Sequence, residues 1–301
     1  MAKKNCDNYV IVITGPTAVG KTKLSIDLAK HFNGEIINAD STQIFKSLDI
    51  ATAKVTEEEK ENIVHHLIDI KTIEQNYTVY DYQSDCRNKI SEVINKNKIP
   101  IIVGGTGLYI KAALYDYKFS EEQTKIDYSK YDNETLYSKW LKINPNTLIH
   151  KNNRKRIERA LSYYEINHKL IEEKEKTEDL LYKTIFIGLT TNRENLYNRI
   201  SKRVDIMFEK GLLEEAKSLY NSNIRTKAIM TPIGYKELFD YFDNKCTLEE
   251  TKDLIKQKSK KYAKRQYTWF NNQMDIKWFD VCFEDFDKTL NEIIKYIEEG
   301  K

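Results

Sequence analysis

Two glycines, a lysine and a threonine stand at the spacing of a phosphate-binding loop in Gly15-Pro16-Thr17-Ala18-Val19-Gly20-Lys21-Thr22, which fits G-x-x-x-x-G-K-[ST]. Glycines let the backbone curl so that successive amide N–H groups face inward, and a helix beginning at the loop adds positive potential. The segment can therefore cradle phosphate oxygens. Lys21 adds a point charge to the same oxygens, and the Thr22 hydroxyl suits Mg²⁺. Such a loop names a phosphate, not a reaction. An NTP-hydrolysing enzyme also places an aspartate at the end of a second apolar strand to hold its metal. Here that run reads Ile101-Ile102-Val103-Gly104-Gly105-Thr106, with glycine at the expected acid, and His66-Leu67-Ile68-Asp69 is the weaker alternative.

Asp40 ends another apolar run, EIINAD, where open parallel sheets have their ligand crevice. It is either an acid of the site or, with Ser41, a helix N-cap. Gly104-Gly105-Thr106-Gly107 either brings amides and the Thr106 hydroxyl to the same crevice or makes a tight strand–helix turn. Arg199 and Arg203, four apart on one helix, either converge on a phosphate or pair with surface acids. Residues 151–159 (KNNRKRIER) hold five basic residues against one acid, and residues 256–265 (KQKSKKYAKR) hold six against none, with Tyr262, Tyr267 and Trp269 in or after the second run. Clustered cations contact a polyphosphate backbone and rings stack on unpaired bases; a solvated lysine-rich helix face is the alternative. His65-His66 has no third ligand at helical spacing and reads as structural.

These residues need a scaffold that brings strand ends together. From Tyr9 a β-branched run, a glycine turn and an apolar-periodic stretch predict strand, loop and helix, and residues 35–40 predict a second strand after the Asn33-Gly34 turn. Strand, helix, strand in so few residues implies a parallel pair with a right-handed crossover. Further strands are expected at 66–70, 99–103, 184–189 and 276–279, with helices between. The fold class expected is α/β: a P-loop parallel sheet with helices on both faces, plus a helical insertion domain. The sheet domain takes 1–114 and 183–301, and the insertion takes 115–182, where residues 115–133 hold few aliphatics and read as a weakly packed connector. Leu196, Ile200 and Val204 fall at spacing four and predict the core face of a helix starting near Arg193.

The 301 residues allow one large domain or two modest ones, and 40% apolar with 32% charged residues is a soluble globular composition. Against 46 acidic residues, 49 basic ones leave a formal charge of +3, so any polyanion partner must be argued from local clusters. The polar amino-terminal residues and the lack of a long apolar run predict neither a signal peptide nor a membrane partner, and hence a cytoplasmic protein. Cys6, Cys86, Cys246 and Cys282 form no Cys-x-x-Cys pair and read as reduced thiols.

In order along the chain, GPTAVGKT, DSTQIF from Asp40, ATAKV from Ala51, HHLIDI from His65, VGGTGLYI from Val103, NNRKRIERAL from Asn152 and YAKRQYTWF from Tyr262 resemble the tRNA dimethylallyltransferases, also called tRNA isopentenyltransferases. The resemblance spans nearly the whole chain. It implies transfer of a dimethylallyl group from dimethylallyl diphosphate to N6 of adenine 37, beside the anticodon of tRNA, with residues 15–22 holding the diphosphate or a nucleotide such as ATP and with Mg²⁺ on Thr22. It implies catalytic roles for Asp40, on the adenine N6, and for Thr106, Lys21 and Arg203. It implies tRNA contacts at Asp40, Ser41, Thr42, Gln43 and Thr106, at Lys155, Arg156, Ile157, Glu158 and Arg159, and at Thr231, Pro232, Ile233, Gly234, Tyr235 and Lys236. ATAKV for the usual GTAKP, HKNN for HPND and Phe45 for tyrosine are departures. The short insertion and the lack of a zinc-finger extension match the bacterial type, and a monomer is expected. A P-loop kinase of a nucleotide or small metabolite is the alternative, and a nucleotide-dependent RNA-binding switch is a third reading.

Overall fold

A computed structural model of the protein describes residues 9–119, 126–170 and 179–300. Its centre is β1 (Tyr9–Thr14), buried at every position. An unbroken β-branched run has no polar face to give to solvent, so both faces must be covered. Val10 and Val12 join one core with Ile37 and Ile102, and Ile11 and Ile13 join the opposite one with Ile36 and Ile101. Around β1 lie β2 (Gly34–Asn38), β3 (His65–His66), β4 (Ile99–Val103), β5 (Lys183–Thr190) and β6 (Lys277–Asp280). All pair in parallel in the order β3-β2-β4-β1-β5-β6. The register Ile13↔Val103, Asn38↔Val103 and Ile13↔Ile187 brings the carboxyl ends of β1, β2, β4 and β5 to one edge.

Helices cover both faces. Leu24, Ile26 and Leu28 of α1 (Lys21–His31) and Ile293 and Ile297 of a carboxyl-terminal helix over Phe286–Glu299 close one core. On the other face pack α2 (Val79–Asn95), α3 (Gly107–Leu114), and later helices among which residues 193–209 bury Leu196, Ile200 and Val204, as their spacing predicts.

The strand expected at 66–70 is only the two residues of β3. Leu67 at φ 60° and Asp69 at φ 56° are left-handed, which ends the extended run. His66 Nε2 lies 2.7 Å from the buried Glu35 carboxylate, which also binds Lys96 and Lys98 at 3.0 and 2.8 Å. Burial pushes the Glu35 carboxyl up, but these hydrogen bonds outweigh it and hold it at about 2.

The chain divides into two compact units, one made of the described residues up to Tyr115 and from Leu180, the other of Asp116–Asp179. The second unit holds α4 (Asn133–Ile143) and α5 (Arg154–Asn167) around a small core of Leu136, Trp140, Ile157 and Leu161. Tyr128 joins that core at 4% exposure, so this part of the expected connector is packed; residues 120–125 and 171–178 lie outside the described residues. The remaining helices are α6 (Arg193–Glu209), α7 (Leu212–Asn221), α8 (Lys227–Met230), α9 (Tyr235–Phe242), α10 (Leu248–Gln273) and α11 (Phe286–Glu299). Among the described residues no helix is long and apolar enough to cross a membrane.

Candidate active site

The loop from β1 to α1 is bent by left-handed residues Gly15 (φ 136°), Ala18 (φ 67°) and Gly20 (φ 105°). A Cβ on Gly15 would also lie 2.5 Å from the Leu189 carbonyl oxygen of β5, so this position excludes a side chain twice over. Lys21 folds back over the loop, and its Nζ donates to the carbonyls of Gly15 at 3.1 Å and Pro16 at 2.8 Å. Carbonyl oxygens are weaker partners than a carboxylate. Burial, with the neighbouring Arg203 charge, pushes the Lys21 ammonium down to about 7 despite the opposing pull of Asp40. Arg203 of α6 is itself lowered by burial and is attracted through space to Asp40 and Glu59. Lys21 and Arg203 are thus close enough to repel each other, within electrostatic reach of the Asp40 carboxylate, and an arriving anion would relieve that repulsion.

Arg199, one turn earlier on α6, does something different from its partner. Its Nε donates to the Ala18 carbonyl at 3.0 Å and its guanidinium lies 3.8 Å from the Phe283 ring centre. It braces the loop's backbone, and among the described residues it makes no ion pair with an acid.

Asp40 follows β2 and is half-buried. Its Oδ1 accepts from the Thr42 amide at 3.0 Å and the Thr42 hydroxyl at 2.6 Å, so it caps a turn, not a helix. Its charge also reaches into the site. After burial itself, Asp40 is the next cause that raises the phenols of Tyr109, to about 12, and of Tyr262. One carboxylate thus caps the turn and acts electrostatically on Lys21, Arg203, Tyr109 and Tyr262. Thr106 accepts from the Ser41 amide at 3.0 Å and donates to the Ser41 hydroxyl at 3.3 Å, tying the β4 loop to the β2 turn. Gln43 turns its side-chain amide to the carbonyls of Thr52 and Ala53. The glycines of the β4 loop serve close approach: a Cβ on Gly104 would meet the Ala39 backbone at 2.2 Å, and one on Gly107 would meet the Trp269 ring at 2.0 Å.

Asp69, the weaker candidate for a metal-holding acid, is bound to Lys54 at 2.5 Å. Among the described residues no group of three His, Cys, Asp or Glu could hold a metal ion. The Thr22 side chain is exposed at the start of α1.

The two basic runs differ in how many of their cations are paired. On α5, Lys155, Arg156 and Arg159 are exposed, whereas Ile157 is in the core and Glu158 binds Arg154 at 2.7 Å. On α10, Lys256 and Lys258 are bound to Asp205 and Glu237, each at 2.6 Å, which leaves Lys261, Lys264 and Arg265 exposed. Of the α10 rings, Tyr267 packs on Thr190 and Trp278 and Trp269 against Phe270, while Tyr262 lies under the Arg265 guanidinium at 5.6 Å and beside Gln266. Of residues 231–236, Pro232, Gly234 and Tyr235 are buried and Thr231 and Lys236 are exposed. The Tyr235 hydroxyl donates to Glu215 at 2.7 Å, and that carboxylate accepts the amides of Asp49, Ile50 and Ala51.

Sequence reasoning missed Gln266. This buried side chain of α10 accepts from the Thr17 amide at 3.0 Å and donates to the Gly105 carbonyl at 3.1 Å. Its signal was a polar residue on the stripe Ala263, Gln266, Phe270, whose other members are apolar and buried.

A sequence model described as IPP transferase matches residues 43–273. The chain belongs to that family. A tRNA dimethylallyltransferase of Anoxybacillus flavithermus is 47% identical over 298 residues, 96% of each chain. Among solved structures, the full-length tRNA isopentenylpyrophosphate transferase of Bacillus halodurans is 41% identical with a TM-score of 0.75, covering 97% of this chain and 96% of its own. A eukaryotic dimethylallyltransferase acting on tRNA is 31% identical with a TM-score of 0.83, covering 97% and 78%. The phosphate loop and Asp40 precede the span of the family model, and it is the near full-length relatives that carry the family assignment across them.

Proposed function

We infer that this chain transfers a dimethylallyl group from dimethylallyl diphosphate to N6 of adenine 37 in tRNA. The observation that carries the reading is the meeting of Lys21, Arg203 and Asp40 at one sheet edge in a member of the IPP transferase family. Adenine N6 attacks the allylic carbon, the carbon–oxygen bond to diphosphate breaks with its electron pair leaving on oxygen, and the nitrogen gives up one proton. The loop amides, Lys21 and Arg203 face the oxygens that gain charge, where fixed donors act most strongly. Asp40 is the acceptor for the N6 proton, and its Oδ1 contacts with Thr42 hold the carboxylate in one orientation. The adenine must leave its stack to reach this crevice. Ser41, Thr42, Gln43 and Thr106 form the turn it meets, and the exposed Lys155, Arg156, Arg159, Thr231 and Lys236 contact the tRNA backbone.

Thr22, exposed at the start of α1 beside the loop, is the residue that would hold Mg²⁺ through its hydroxyl. When bound there, the ion neutralises charge on the leaving group. The reading includes a cytoplasmic, monomeric enzyme.

The test is incubation of the purified protein with tRNA and labelled dimethylallyl diphosphate. Label in N6 of adenine 37, lost in Lys21→Ala, is the expected result. Steady ATP turnover indifferent to tRNA, with no prenylated product, establishes the kinase alternative instead, and nucleotide-controlled RNA affinity without product establishes the binding switch.

A further inference from the structure

We propose that Gln266 is a positioning residue for the transfer, a single buried amide that sets the spacing between the diphosphate loop and the Asp40–Thr106 side of the crevice. The proposal rests on the reading of the function given above. Its ground is which peptide groups Gln266 holds. The Thr17 N–H belongs to the same planar peptide as the Pro16 carbonyl, and in a trans peptide the two point in opposite directions. Gln266 Oε1 takes the N–H at 3.0 Å while Lys21 Nζ takes the carbonyl at 2.8 Å. Rotation of that peptide would therefore break both bonds, so Gln266 orients the seat of Lys21.

The same relation recurs on the other side of the amide. Gln266 Nε2 donates to the Gly105 carbonyl at 3.1 Å, and the N–H of that peptide, on Thr106, donates to the Ala39 carbonyl at 3.1 Å, directly before Asp40. One side chain thus links Lys21 to the backbone at Asp40 through two rigid peptides. Gln266 is 5% exposed, and a buried amide left without partners is costly, so both bonds hold it in place. The loop is shaped around it: a Cβ on Gly105 would lie 2.0 Å from Gln266 Nε2. The nearby bond from the Thr14 hydroxyl to the Gly104 carbonyl joins the strand ends only and does not reach the loop at Thr17.

The test compares Gln266→Met, which keeps length and loses both bonds, with Gln266→Glu. With saturating dimethylallyl diphosphate, Gln266→Met lowers the single-turnover rate constant on the order of 10- to 100-fold, as displaced catalytic groups do, while the KM for tRNA stays within about twofold. A glutamate accepts from Thr17 but repels the Gly105 carbonyl until it is protonated, when it can donate as glutamine does. Two titratable groups adjoin this amide: the Tyr262 phenol, which burial and Asp40 raise so that it stays neutral over this range, and Lys21, which saturating diphosphate keeps charged. The rate of Gln266→Glu relative to wild type therefore rises as pH falls from about 8 to 6, whereas the Gln266→Met ratio stays flat. A merely structural role would reduce the amplitude of the turnover and the melting temperature with the rate constant unchanged. That result, or a Gln266→Glu ratio flat with pH, overturns the proposal, and if Gln266→Met does not fold the glutamate ratio decides. If wild type itself forms no prenylated tRNA, the functional reading fails separately. Calorimetry with inorganic diphosphate then judges the latch: several-fold weaker binding by Gln266→Met supports it and equal affinity refutes it.

Discussion

Asp40→Asn separates the two duties of one carboxylate. As a turn cap, Asp40 accepts the amide and hydroxyl of Thr42 through Oδ1, and asparagine keeps an oxygen there. The cost is the difference between a charged and a neutral acceptor, about 1 kcal/mol. In the proposed role as acceptor of the N6 proton the residue has no substitute, since an amide is not a base near neutral pH. Loss of a general base slows the chemical step on the order of 10²- to 10⁴-fold, or roughly 3–6 kcal/mol of barrier. The structure adds a complication that fixes the assay conditions. Asp40 favours the protonated form of Lys21, so the variant carries a Lys21 that loses its charge at lower pH than in wild type. Single-turnover transfer is therefore measured at saturating dimethylallyl diphosphate and at about pH 6, below the Lys21 value near 7, so that lost diphosphate affinity does not pass for lost chemistry. The expected variant is folded, binds tRNA normally and is slowed at least 100-fold. A rate within tenfold of wild type together with a lowered melting temperature would confine Asp40 to the turn.

With Lys21 near 7 in the free protein, an arriving diphosphate raises its pKa, so binding above pH 7 takes up a proton and affinity falls by up to about tenfold per pH unit. Calorimetry in buffers of different ionisation enthalpy measures that uptake, and Lys21→Met, which cannot titrate, serves as the reference that removes diphosphate's own ionisation. Neutralising the exposed Lys155, Arg156 and Arg159 lowers the slope of log K for tRNA against log salt by up to about 3, one for each phosphate contact, with diphosphate affinity unchanged; an unaltered slope makes this a solvated helix face. Tyr235→Phe removes a hydrogen bond to the Glu215 carboxylate and costs about 1.5–3 kcal/mol in denaturant unfolding, with tRNA affinity unchanged, because the ring is buried. Gly105→Ala places a methyl where Gln266 Nε2 sits and reproduces the slowed transfer of Gln266→Met without altering tRNA binding.

What could be read from the sequence follows how local each determinant is. The phosphate loop was legible because its glycines, lysine and threonine are contiguous and their backbone demands are met within eight residues. The core face of α6 was legible because Leu196, Ile200 and Val204 repeat at helical spacing. The end of β3 was not: nothing in HHLIDI marks Leu67 and Asp69 as left-handed, since that conformation serves bonds made at a distance, Lys54 to Asp69 and the Asn38 side chain to the Leu67 carbonyl. The basic runs looked alike in composition, yet partners remote in sequence decide their fates. Asp205 and Glu237 neutralise the start of the α10 run, while α5 keeps three cations open. Gln266 is the extreme case, with the two backbone groups it joins, at Thr17 and Gly105, more than 160 residues away. The glycine that accommodates it is visible in the sequence, but a glycine after a strand reads equally as a turn. Only the long helix laid across the two loops shows that Gly105 makes room for an amide, and that both loops are bonded to a residue no phosphate-loop pattern contains.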